Sequence, residues 1–438
     1  MMNRIFLNYP VALALFSIAW SALGANWPQW RGPEFNGSTT EKNLPIAWSQ
    51  TNGIEWSASL PGYAASTPIV WGNSVFLTSP DAGKDLLLIH VDARTGREVW
   101  RKTVASQDRE QGRNNMSSPS PVTDGKVVIA MFATGNLCAY DFSGIQLWSR
   151  DLAKDYGAFA NMWIYGASPL LLGGRLYIPV MQRDPVPPDY RHAQAGGSAR
   201  ESFLLCVDPA TGTNLWRHLR VTAAKDESME AYTTPIPRRV DGRTEILLFG
   251  ANNLTAHDPV TGAELWRSPD LNTKQVAFWR VVPSPVAVDD LVIVCAPKGE
   301  PVFAIRPRGK GQLGADSIAW SWKQQPSDCC TPLAYEGRLF VLNGDRQVLT
   351  RIDPRTGRVV WQGSLGVHEI FRASPLGADG KIYCVSESGT VIVLDAGDEF
   401  KILATIPMGE APVRSSMVAA DGCLYIRTAK HLYCVGNK

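Results

Sequence analysis

At four places in this chain an Asp is followed by Thr-Gly at the third and fourth positions and by Trp at the eighth: Asp92 to Trp100, Asp208 to Trp216, Asp258 to Trp266 and Asp353 to Trp361. Asp141, Ser143, Gly144 and Trp148 repeat the pattern one residue shorter. An Asp side chain bonds backbone amides two residues on, a following Pro presets φ, and Gly takes the positive φ of a bulged hairpin. Each copy therefore encodes a tight hairpin with a large flat side chain on the strand that leaves it. That Trp (15) outnumbers both Tyr (12) and Phe (14) agrees with one recurring Trp position, placed to pack between neighbouring units of a repeat.

A second signature lies upstream of each hairpin. Ser-Pro or Thr-Pro opens an apolar segment, then a turn and a strand that reads as alternating and half-buried, as at Arg175 to Ile178, Arg338 to Val341 and Lys381 to Cys384. The pair occurs at Thr67, Ser120, Ser168, Thr234, Ser284, Thr331 and Ser374, with Ser416-Met417 as an eighth, degenerate copy. Successive spacings are 53, 48, 66, 50, 47, 43 and 42 residues, and no segment reads as a long amphipathic helix. A repeat of about 40 to 50 residues holding four short strands predicts an all-β, eight-bladed β-propeller of four-stranded antiparallel blades.

The last copy stops before any Thr-Gly turn or Trp, so its fourth strand is missing. Ile54-Glu55-Trp56 is expected to supply it, an N-terminal strand closing the last blade and hiding the open edges of the array. The expected organisation is a signal peptide over 1–24, an N-terminal arm over 25–53 that packs on a blade face, and the propeller over 54–438. Two copies deviate. The fifth hairpin degenerates to Arg306-Pro307-Arg308-Gly309-Lys310-Gly311 with Trp320 or Trp322 standing in, and the seventh, Asp395-Ala396-Gly397, has no Trp after it.

Arg4, the apolar run Val11 to Trp20 and the small residues Ala22, Gly24 and Ala25 have the order of a secretory signal, with cleavage expected after Gly24 or Ala25. Asn8 and Pro10 leave that run short of the ~20 residues a membrane span needs. A periplasmic or secreted monomer is expected. Lys plus Arg (43) nearly balance Asp plus Glu (41) with no basic block, which argues against a nucleic-acid partner. Cys423 and Cys434 flank a turn, where a disulfide and two buried thiols are equally compatible with the pattern. Covalent haem attachment, zinc-protease spacing, a phosphate-binding Gly-Lys loop, a dinucleotide fingerprint and a Gly-x-Ser-x-Gly elbow are all missing.

The Asp-x-x-Thr-Gly-x-x-x-Trp repeat resembles the tryptophan-docking motif of the PQQ-like (quinoprotein-type) propeller family, which includes quinoprotein alcohol dehydrogenases and BamB-like proteins. The resemblance runs from Trp27 to Gly436 and implies docking roles for Trp56, Trp100, Trp148, Trp216, Trp266 and Trp361. The opening Trp27-Pro28-Gln29-Trp30-Arg31-Gly32-Pro33 is similar to the start of secreted members. Fold and function separate in such architectures. A non-catalytic scaffold or recognition module is the leading expectation, with no cofactor and no metal. The alternative is a dehydrogenase oxidising an alcohol or sugar with PQQ and calcium. The family's enzymes pack an adjacent cysteine pair on PQQ, and Cys329-Cys330 is the pair here, although it lies in the sixth blade rather than early in the chain.

Propeller geometry brings the residues just upstream of each Ser/Thr-Pro together at the channel mouth. These are Asn114 and Asn115, Trp163, Glu230, Trp279, Arg280, Asp328, Cys329, Cys330, Arg372 and Arg414. Three arginines and two tryptophans suit a small polar or anionic ligand, or a protein partner, through charge-assisted hydrogen bonds and stacking. The same arginines equally suit bridges between blades through carboxylates such as Glu230 and Asp328. The extra residues Arg183 to Glu201, with Asp184, Asp189, Tyr190, Arg191 and His192, read either as a polar flap over the mouth or as a tolerated insertion.

Overall fold

The computed structural model describes residues 25–49, 51–193 and 200–437; the expected signal peptide and the middle of the 183–201 insertion lie outside them. Eight antiparallel blades stand around one axis; six are built from four strands consecutive in sequence, and in the fifth a short strand that joins blade 4 interrupts the series. Blade 1, for example, comprises Ile69–Trp71, Ser74–Pro80, Leu86–Asp92 and Glu98–Ala105. The eighth blade takes three strands from the chain's end, Val418–Ala420, Cys423–Arg427 and His431–Val435. Its fourth is Ile54–Ser59, with Trp56 opposite Cys434.

Within each blade, burial follows position. The outer strands alternate: in Gln146–Asp151 and Val359–Ser364 only the Trp is buried. The two middle strands do not alternate, contrary to the half-buried reading of segments such as Arg175–Val180 and Lys381–Val385. Every residue after the first is buried in both, because each blade packs face to face with a neighbour on either side and neither sheet surface meets water.

The hairpin motif acts twice. Asp258 accepts the amide protons of Val260 (2.9 Å) and Thr261 (2.7 Å), while the Gly262 amide closes onto the Asp258 carbonyl (2.9 Å). Asp92 and Asp353 make the same bonds, and the Thr261 amide in particular holds the Asp258 carboxyl below its ordinary pKa. The Gly is also where the preceding blade's indole lies. A Cβ on Gly96, Gly144, Gly212, Gly262 or Gly357 would sit within 3.1 Å of the ring of Trp56, Trp100, Trp148, Trp216 or Trp320, respectively. Each of these indoles donates to a carbonyl in that same turn, from 2.8 Å for Trp56 to Ala93 up to 3.4 Å for Trp216 to Pro259.

Trp266 differs. The fifth blade has lost its Thr-Gly turn, and this indole donates to Glu245 of its own blade at 3.2 Å. The chain that replaces the turn runs back along blade 4, where Gly311–Gln312 pairs in parallel with Glu264–Arg267 as a fifth strand. Trp320, not Trp322, is the stand-in that reaches the sixth blade, while Trp322 donates to the nearby Gln324.

The N-terminal arm closes the face of the ring opposite the mouth. It bonds the inner strands of blades 1, 2 and 3 through Trp27–Val70, Pro28–Thr123 and Gln29–Leu171. It then crosses the axis and reaches blades 6 and 7 through Asn36–Ala334 and Gly37–Gly377. Trp30 and Arg31 make the crossing. Arg31 is buried and gives its guanidinium protons to the carbonyls of Pro332, Pro375 and Asn36 at 2.8–2.9 Å. Burial pulls its pKa down to about 9.

Candidate functional site at the channel mouth

Seven of the eight inner strands follow a Ser/Thr-Pro pair and the eighth follows Ser416-Met417, and these eight Ser and Thr residues form a closed hydrogen-bonded collar around the axis. The residue before a proline is held extended, which aims successive amides around the ring. The Thr67 amide donates to the Ser120 hydroxyl (2.9 Å), Ser120 to Ser168 (2.9 Å) and Ser168 to Thr234 (3.0 Å). The chain of bonds continues from Thr234 to Ser284 (2.8 Å), Ser284 to Thr331 (3.0 Å) and Thr331 to Ser374 (3.0 Å). Ser374 to Ser416 (3.1 Å) and Ser416 back to Thr67 (3.3 Å) complete the circuit. The recurrence of Ser or Thr at all eight positions was the signal for this collar, since no other side chain combines that size with an accepting oxygen.

Above the collar lies a cavity of about 300 Å³ whose walls include every collar residue except Ser284. Trp30 lines it as well, and with the arm crossing beneath, the channel becomes a blind cup. Of the residues expected at the mouth, Asn114, Trp163, Arg280, Asp328, Cys329, Arg372 and Arg414 line this cup. Trp279 and Cys330 do not. Each neighbours a residue that does, and adjacent side chains on extended backbone point to opposite sides. Trp279 packs edge-on to Phe249 at 6.3 Å, and the Cys330 thiol lies 3.5 Å from the Phe371 carbonyl.

Glu230 is also outside the lining and has no solvent exposure. It accepts from the Met162 amide (2.8 Å), Tyr190 (2.7 Å) and Tyr232 (3.0 Å), and pairs with Arg183 at 3.1 Å. Burial raises its pKa, and the four donors oppose that rise. Arg183 and Tyr190 belong to the insertion, so this carboxylate ties the insertion to the segment that carries Trp163.

The rim cations are braced from behind. Arg372 binds Asp345 at 2.6 Å, Arg414 and Arg113 share Glu387, and Arg280 and Lys298 share Glu227 at 3.5 and 3.4 Å. Trp163 donates to Glu227 as well, at 3.4 Å. Glu227, Asp345 and Glu387 stand outside the lining, so the cup itself presents four arginines and one carboxylate, Asp328. The Nη groups of Arg113 and Arg280 have no hydrogen-bond partner among the described residues. Burial, with Asp328 beside it, pushes the Cys329 thiol up to about 11, which keeps it protonated at neutral pH.

Sequence reading missed Trp30, Arg113 and the bracing carboxylates. Arg113 sits at the tip of a small hairpin, Glu110–Gln111 with Asn114–Asn115, whose Gly112 (φ +63°) leaves no room for a Cβ against the Trp163 ring at 2.8 Å. A Gly between two polar pairs was the only trace of it. No group of three or more His, Cys, Asp or Glu among the described residues is arranged to hold a metal ion, and no helix there is long and apolar enough to cross a membrane.

Solved structures with the same architecture include BamB from Moraxella catarrhalis, at 13% identity and a TM-score of 0.60, covering 87% of this chain and 99% of that one. A europium-containing methanol dehydrogenase aligns with a TM-score of 0.68 at 10% identity, over 93% of this chain and 90% of its own. The quinohemoprotein alcohol dehydrogenase from Comamonas testosteroni gives 0.61 at 12% identity, covering 94% and 81%. At these identities the likeness is one of fold. No curated protein matches the sequence. A family model described as outer membrane protein assembly factor BamB matches residues 37–178, 166–362 and 315–399. Repeat, ring and match agree over most of the length, and the chain belongs to this PQQ-like propeller family.

Proposed function

We propose that this protein is an exported, non-catalytic binding module that takes a small polar or anionic ligand, free or presented by a protein partner, in the cup at its channel mouth. The observation that carries this reading is the blind cup itself. It is floored by Trp30, walled by hydroxyls and rimmed by arginines whose positions are set by carboxylates behind them. A concave site with a few convergent polar groups is the usual form of a small-ligand site. Its donors are fixed before a ligand arrives, which lowers the ordering cost of binding.

A PQQ-dependent dehydrogenase, as in the solved quinoproteins, is the less favoured reading. Calcium takes 6 to 8 oxygen ligands, commonly with several carboxylates. The cup offers one carboxylate against four arginines, and only one thiol of the Cys329-Cys330 pair lines it. That donor set suits an anion and does not fit a calcium–quinone pair.

The discriminating experiment mixes mature protein with PQQ and calcium, and separately with a panel of organic anions, neutral sugars and polyols, while following Trp fluorescence and dye-coupled alcohol oxidation. Saturable quenching by an anion without turnover is expected. Turnover with PQQ and calcium, retained in Cys329→Ala, would establish catalysis and remove the cysteine pair from it. Export is read directly by N-terminal sequencing, with Ala25 or Asn26 expected as the first residue.

A further inference from the structure

The collar's hydrogen bonds run in one direction. Each of the eight hydroxyl oxygens accepts an amide proton from the blade before it, and none donates its own proton to a protein acceptor among the described residues. A hydroxyl has one proton to give and two lone pairs. Eight protons are therefore unused around one axis, and seven of their owners line the cup. A buried donor without an acceptor is costly, and a ring of them is a site for something rich in acceptors.

Each collar oxygen also keeps a lone pair, so the collar alone would admit a cation as well as an anion. The surroundings decide between them. Immediately beneath it lies buried Arg31, bonded to the carbonyls of Pro332 and Pro375, the residues that follow collar members Thr331 and Ser374. Arg31 has carbonyls for its hydrogen-bond partners and no carboxylate. Above the collar, Arg280 and Arg372 line the same cavity, each paired with a carboxylate behind the wall, Glu227 and Asp345, while Asp328 is the only acid in the lining itself. A cation on the axis would face like charge from below and from above, whereas an anion meets favourable charge from both sides.

We propose that the hydroxyl collar is the seat of a single oxyanion headgroup, a carboxylate or a phosphate, which a small ligand inserts head first through the mouth. The proposal rests on reading the cup as a binding site and names the chemistry that site selects. Hydroxyl protons pointing at the axis bind the headgroup oxygens, and the guanidinium groups of Arg280 and Arg372 supply the attraction that steers it inward.

The test is isothermal titration calorimetry of the full mature protein with inorganic phosphate, succinate and glycerol at constant ionic strength, alongside Trp fluorescence. Phosphate or succinate is expected to bind one to one, with glycerol inert. Whichever anion binds identifies the headgroup. Ser374→Ala is expected to weaken binding about tenfold, the scale of one charge-assisted hydrogen bond, while Ser374→Thr, which restores the hydroxyl, binds as wild type. Thermal melts of the two variants separate lost binding from lost folding. Trp30→Phe is expected to keep the heat and lose most of the fluorescence change. The seat is overturned if glycerol binds as well as the anions, or if a folded Ser374→Ala binds them normally. Anion binding that responds to Arg113→Gln and Arg280→Gln but not to Ser374→Ala would remove the seat and leave the cup reading standing. Silence of these probes and of the wider panel would remove both.

Discussion

His90 is buried with neither ring nitrogen hydrogen-bonded, its imidazole stacked on Phe76 at 4.5 Å and edge-on to Trp100 at 5.3 Å. Burial drops its pKa to about 4, and the same cause takes His257 to about 3. In the unfolded chain both take a proton below about 6.5, whereas in the fold they stay neutral until the lower values. Their contribution to stability is therefore complete above pH ~6.5 and is lost as pH falls through the window down to the folded values. We expect the melting temperature to fall between pH 7.5 and pH 5, and His90→Phe to flatten part of that fall. The variant also removes two unsatisfied buried nitrogens, a gain of about 1 kcal/mol. Parallel melting curves for the two proteins across this range would refute the argument. The sequence placed His90 beside the repeated Asp92, but its ring contacts come from the flanking strands of its own blade, where Phe76 and Trp100 stand opposite it.

At the scale of the hairpin, two glycines of blade 4 separate backbone conformation from indole packing. Gly242 (φ +74°) has nothing within 4 Å of a would-be Cβ, whereas Gly262 (φ +75°) would place one 2.4 Å from the Trp216 ring. Gly242→Ala should cost only the left-handed penalty, about 1 kcal/mol. Gly262→Ala should cost that and a further 1–3 kcal/mol, roughly, for displacing a packed ring. Denaturant melts measure both, and equal costs would mean that the indole adjusts freely. The turn residues and their spacing to the Trp were legible because they are local chemistry. Which Trp reaches which turn was not: Trp266 turns back to Glu245 because the next blade's hairpin has no Gly surface to receive it. Along the mouth segments, neighbours in sequence face opposite sides of the strand, so of the pairs Trp279/Arg280 and Cys329/Cys330 only Arg280 and Cys329 line the cup.

For the whole molecule, closure is the feature on which stability depends. Trp56 is carried by the strand that completes blade 8, and its indole bonds Ala93 of blade 1, so one side chain spans the point where the ring shuts. Trp56→Ala should cost about 3–5 kcal/mol, the range for removing a large buried aromatic. The loss should be read across the closure: in hydrogen exchange, the amides of Cys423–Arg427 and Ser74–Pro80 should lose protection together, before those of Arg243–Gly250 in blade 4 on the far side. Uniform loss around the ring would show instead that all blades open as one unit. The arm acts at the same scale, since Trp30 reaches the axis only because bonds to blades 1 to 3 and 6 to 7 hold it from both sides.

The repeat, the number of blades and the strand exchange between the chain's ends were already determined by the sequence. Turn chemistry and spacing are short-range properties, and a missing fourth strand has few places from which to come. The tertiary structure alone decided which side of each mouth strand faces the axis, that the arm stoppers the channel, and that eight hydroxyls separated by 42 to 66 residues join in one circuit. Those features are made by groups far apart in the chain meeting at a common axis, and only the closed ring defines where that axis lies.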